Sequence, residues 1–191
     1  MSVQSKDTGT VATLGTGSDW AIATLRTTGT ALFHGGMLTE GDLAKNELRI
    51  ADVLALQAIA ARLPATTSAP KTQPDAGTER GPDWAIDTLR RTFTLRYLSG
   101  SATKLDVALL ELRIAEFEAL ETLASRLSAL PGLAEPQQPE AGGAYFGMAV
   151  ETLISVTRAQ IGAGEKTIAD VAEAELAIAE SRLRQQVAYG S

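Results

Sequence analysis

Three times in this chain a glycine is followed three residues later by threonine and six residues later by aspartate: Gly36, Thr39 and Asp42, then Gly100, Thr103 and Asp106, then Gly164, Thr167 and Asp170. The copies lie 64 residues apart both times. A fixed period of this length marks tandem copies of one supersecondary unit, which must bury its apolar face largely against its neighbours. Residues 19–63 align without a gap on residues 83–127, with 23 of the 45 pairs identical, and agreement of that extent inside one chain means duplication. The third copy shares 12 residues with both others, among them Ala21, Leu25, Ala44, Glu47, Leu48 and Ala51 with their counterparts 64 and 128 residues on.

Each copy reads as a helical hairpin. In the second, Ile86, Leu89, Phe93 and Tyr97 recur at three and four residues, the spacing of one helix face. Asp83 is expected to cap this short helix, as Ser18 or Asp19 does in the first copy, because a side-chain oxygen there accepts from the free amides of the first turn. Gly100 is expected to stop it, since glycine enters the left-handed region without a Cβ clash. Thr103-x-x-Asp106 then reads as a capping box that opens a longer helix. That helix carries Leu105, Ala108, Leu112, Ala115, Ala119 and Leu123 on one stripe and Val107, Leu110, Ile114 and Phe117 on another. Two apolar stripes require two neighbours: the short helix of the same hairpin, and a different repeat or another chain.

The stretches between hairpins, PATTSAPKTQPDAGTERGP and SALPGLAEPQQPEAGGA, are rich in Pro, Gln, Thr and Gly and have no apolar face, so they read as linkers. The expected organisation is a mobile tail at 1–18, hairpins at 19–63, 83–127 and 145–190, and linkers at 64–82 and 128–144. The fold expected is all-α: three tandem 64-residue helical-hairpin repeats, whose six main helices form a bundle with the turns at one end.

The charge balance, 17 Lys and Arg against 23 Asp and Glu, lacks the basic surface that neutralising a phosphate backbone needs, which argues against a nucleic-acid partner. With no cysteine and a single histidine, the chain has no thiolate or His-based metal set, no His-based triad and no cysteine nucleophile. An enzyme is therefore not expected, nor a cofactor. No apolar run is long enough for a membrane span, and the N-terminal stretch has no signal-peptide core. As Gly-x-Gly occurs without a preceding strand, nucleotide binding has no support.

Some repeated positions admit a sharper reading. Parallel hairpins would bring Asp42, Asp106 and Asp170 to one end, where three carboxylates suit a hard cation; the stronger reading is that each is used by its own helix start. Glu47, Glu111 and Glu175 fall at the core margin and are expected to form structural ion pairs, with Arg49, Arg113, Arg62 and Arg126 as candidate partners. His34 reads as a helix-end residue whose charge suits a C-terminus. Trp20 and Trp84, replaced by Met148 in the third copy, read as packing residues.

The runs YLSGSATKLDVALLELRIAEFEALETLASRL and IGAGEKTIADVAEAELAIAESRLRQQVAYG resemble the helical hairpins of TolC-type outer-membrane efflux proteins. There a Gly-x-x-Thr-x-x-Asp-Val segment follows an aromatic or basic helix end and opens a long, alanine-rich helix. Gly100, Thr103, Asp106 and Val107 match that pattern, as do Gly164, Thr167, Asp170 and Val171; the first copy has Leu43 in place of valine. The resemblance covers the hairpins and implies that the turns are tips that meet a partner protein. The implied contact residues are Gly36, Thr39, Asp42, Gly100, Thr103, Asp106, Gly164, Thr167 and Asp170. It also implies a place in the cell envelope or periplasm; the alternative is a cytoplasmic scaffold or self-assembling bundle with no transport role.

Overall fold

In the computed structural model the described residues are 14–65, 81–130 and 167–189, with scattered positions between 152 and 164. They form five helices: α1 (Ser18–His34), α2 (Glu40–Arg62), α3 (Gly81–Leu98), α4 (Lys104–Ser128) and α5 (Ile168–Tyr189). Most of the expected tail, most of both linkers and most of the expected third short helix lie outside the described residues; the last part of that tail is ordered instead, since Ser18 opens α1 and the Gly17 amide donates to Glu111 at 3.0 Å. Among the described residues the fold is an all-α bundle, and no helix is long and apolar enough to cross a membrane.

The turns from α1 to α2 and from α3 to α4 follow from their residues. At the end of α1 the Gly36 amide donates to the Phe33 carbonyl and the Met37 amide to the Leu32 carbonyl, both at 2.9 Å. Gly100 and Ser101 do the same onto Tyr97 and Arg96, at 3.0 and 2.8 Å. This pair of bonds uses the last free carbonyls of the helix and requires a left-handed residue between them, and Gly36 and Gly100 sit at φ 72° and 76°.

The helix starts differ from expectation. The residue before α1 is Gly17, with no side-chain bond to cap the helix, and Ser18 and Asp19 lie inside the first turn. Asp83 likewise lies inside the first turn of α3, which begins at Gly81. A carboxylate there still faces the positive end of the helix dipole, but it does not act as the cap.

The helix at the centre is α4, which packs against all four of the others. Its two stripes meet two different sets of helices. Ala108, Leu112 and Ala115 form one core cluster with Ala21, Ile22 and Leu25 of α1 and Ile50 and Val53 of α2. Leu110, Ile114, Phe117 and Leu120 form a second with Ala85, Ile86 and Leu89 of α3 and Ala172, Leu176 and Leu183 of α5. Trp20 packs against the first cluster and Trp84 against the second. Alanine on α4 lets α1 approach closely, so α1 packs more extensively on α4 than on α2, its own hairpin partner.

Directions follow from the polar contacts. Arg113 pairs with Glu180 and Glu116 with Arg184, at 2.9 and 2.5 Å. Residue numbers rise together on both helices, so α4 and α5 run the same way. Arg126, near the end of α4, donates to the carbonyls of Ala60 and Leu63 at the end of α2. The Ala60 carbonyl also accepts from the Leu63 amide, at 3.2 Å, and a guanidinium suits the negative helix end. The starts of α2, α4 and α5 thus lie toward one end of the bundle.

Candidate interaction surface

At that end the three Thr-Asp pairs close as capping boxes. The Thr39 hydroxyl accepts from the Asp42 amide at 3.2 Å, while the Asp42 carboxylate accepts from the Thr39 amide at 3.0 Å and from its hydroxyl at 2.6 Å. Thr103 with Asp106 and Thr167 with Asp170 repeat the arrangement. Hydrogen bonds from the Thr39 hydroxyl and amide hold the Asp42 carboxyl below its ordinary pKa. Each aspartate is thus bound to its own threonine. Among the described residues no three His, Asp or Glu side chains gather as a metal-ligand set.

The tips also show apolar side chains that the repeat pattern does not single out. Phe33, Met37, Leu95, Leu98 and Ile168 are all exposed and flank the turns, Met37 most of all at 69%. A signal was present: Leu95 and Leu98 lie off the Ile86, Leu89, Phe93, Tyr97 stripe and so were bound to face away from the core. His34 ends α1 on the surface, with its ring 5.6 Å from that of Phe33.

Two of the three repeated glutamates, Glu47 and Glu111, form ion pairs, but with other arginines than the candidates on the long helices. Glu47 takes a two-pronged contact from Arg26, and Glu111 one from Arg90, both at 2.9 Å. These arginines belong to the short helices, ten residues before the turn glycine, where the antiparallel partner of a residue eleven beyond it must lie. Of the expected partners, Arg113 binds Glu180 and Arg126 binds the end of α2. Arg26 holds the Glu47 carboxyl below its ordinary pKa, chiefly through the hydrogen bond, and Glu47 raises that of Arg26 in return. Glu111 raises Arg90 in the same way.

Equivalent residues of the two described hairpins nonetheless differ in surroundings. The Glu111 side chain is buried and also accepts from the Gly17 amide at 3.0 Å, whereas that of Glu47 is half exposed. Leu112 is 2% exposed and its counterpart Leu48 is 65% exposed; Leu123 is 4% and Ile59 50%. Ala108, Ala115 and Ala119 are buried, and Ala44, Ala51 and Ala55 are exposed. One whole apolar stripe is therefore covered on α4 and open on α2. Comparison with family models, with curated proteins and with solved structures finds no match in any of the three.

Proposed function

We propose that this chain is a non-catalytic protein of three tandem 64-residue helical hairpins, six helices in all, that works by protein–protein contact through its hairpin tips. The reading extends the resemblance to the hairpins of TolC-type efflux proteins, whose tips meet an adaptor protein in the envelope. The observation that carries it is the exposed apolar set Phe33, Met37, Leu95, Leu98 and Ile168 beside turns whose threonines and aspartates are already hydrogen-bonded. Capping fixes the backbone of each tip, and the apolar side chains supply contact area on a rigid base. Exposed apolar groups gathered at one end of a molecule are a mark of a binding surface.

A photo-crosslinking residue placed at Met37 or Leu98 in the native cell tests this. Adducts to one envelope protein are expected from these two positions, and none from Ala129 at the end of α4. Equal labelling from all three positions, or fractionation of the native protein wholly with the cytosol, would overturn the envelope reading. The second reading, a self-assembling bundle, is favoured by the open stripe of α2.

A further inference from the structure

The hairpins dock on one another by one rule used twice. Ala21, Ile22 and Leu25 of the first short helix share a core with Ala108, Leu112 and Ala115 of the next long helix. One repeat on, Ala85, Ile86 and Leu89 share a core with Ala172 and Leu176, with Ala179 packed against it. A short-helix Ala-Ile-x-x-Leu thus sits each time on a long-helix Ala-x-x-x-Leu-x-x-Ala.

The same long-helix pattern, Ala44, Leu48 and Ala51, stands uncovered on α2, extended by Ala55 and Ile59. The same short-helix pattern occurs again at Ala149, Val150 and Leu153. The two hairpins have diverged elsewhere on this helix, since Lys45 and Asn46 stand where α4 has Leu109 and Leu110. At the open stripe the residues remain apolar although water now reaches them. From this we infer that α2 is the docking face for a second copy of this chain, which seats its residues 145–162 there as α1 seats on α4. The contact joins two different surfaces and is therefore head-to-tail, closing into a ring or growing into a filament according to the rotation between copies. Glu47 would receive the backbone amide at the start of the incoming helix, as Glu111 receives that of Gly17. The inference rests on the repeat architecture proposed above but not on the tips, which are a separate surface.

The absence of cysteine allows a direct test. Leu48→Cys and Leu153→Cys are made as single variants of the full chain, mixed and mildly oxidised. A two-chain adduct is expected from the mixture and little from either variant alone. By light scattering the parent chain is expected to gain mass with concentration, Leu48→Glu to lose that gain with its helicity intact, and the tip variant Leu95→Glu to keep it. A mass fixed at one chain at every concentration overturns the proposal while leaving the tip reading standing. So does a Leu48→Cys adduct with itself as strong as the mixed one, which means a two-fold contact. A Leu48→Cys/Leu153→Cys double variant that closes within a single monomeric chain overturns it too.

Discussion

Helices α2 and α4 share the sequence pattern Glu-Leu-Arg-Ile-Ala and a capping box of the same form, yet one is the axis of the bundle and the other a wall of it. The difference lies in what surrounds them. On α4 the first hairpin lies against one face and α3 and α5 against the opposite one, whereas α2 has α1 and α4 on one face and its Leu48 stripe open. Identical side chains therefore carry different weight: Leu112 holds two hairpins together, and Leu48 touches water. Burial in a repeat protein is decided by the position of the repeat in the array as much as by its residues.

The largest effect expected from this contrast is at the glutamates. Glu111→Ala removes a buried carboxylate that accepts from the Arg90 guanidinium and the Gly17 amide, both bonds part-buried, and each such charged hydrogen bond contributes about 1.5–3 kcal/mol. Glu47→Ala removes an exposed pair, and its denaturation midpoint is expected to stay close to the parent's. Equal midpoints for the two variants would break the contrast. Next comes Leu112→Ala, expected to cost about 2–5 kcal/mol for a buried leucine. Leu48→Ala, measured at dilution, is expected within about 0.5 kcal/mol of the parent; a larger loss would show the α2 stripe to be covered in the single chain.

At the turn glycines the two hairpins are expected to agree. Gly36→Val and Gly100→Val each force a β-branched residue to positive φ with open space around the new Cβ, so strain alone acts, about 1–2 kcal/mol in both. Unequal thermal shifts would mean that one turn is held by something other than its own conformation.

The smallest effect is one of pH. Asp42 and Glu47 have folded pKa values below their ordinary ones, so the stability they contribute is complete above the ordinary carboxylate range and is lost as pH falls through the depressed values. Thr39→Ala removes the hydrogen bonds from the Thr39 hydroxyl and is expected to move the Asp42 titration, followed by carboxyl-carbon NMR, upward. An unmoved titration would assign the depression to another cause.

How much of this was legible beforehand depends on whether a feature is set locally. The tips were, because a Gly-x-x-Thr-x-x-Asp run fixes a left-handed stop and a capping box within seven residues. The double stripe of α4 was too, since Leu110 and Leu112 cannot face one neighbour. The glutamate partners were not, because pairing Glu47 with Arg26 requires the antiparallel register about the turn, and arginines adjacent on the long helix looked equally near. The exposure of Leu48 was not legible either. Its immediate neighbours, Glu47 and Arg49 to Ala51, are those of Leu112, and along this stripe the arrangement of whole hairpins separates the two.

The contact between Arg126 and the last carbonyls of α2 carries a consequence in time. Leu25, Ile50 and Val53 have their cover on α4, so the first hairpin leaves the ribosome before the surface that completes it exists. At roughly 5–20 residues per second, the wait for one further 64-residue repeat is on the order of 3 to 13 seconds. Through that interval the nascent chain holds its first apolar face open, and a chaperone or a neighbouring nascent chain can occupy it before α4 does.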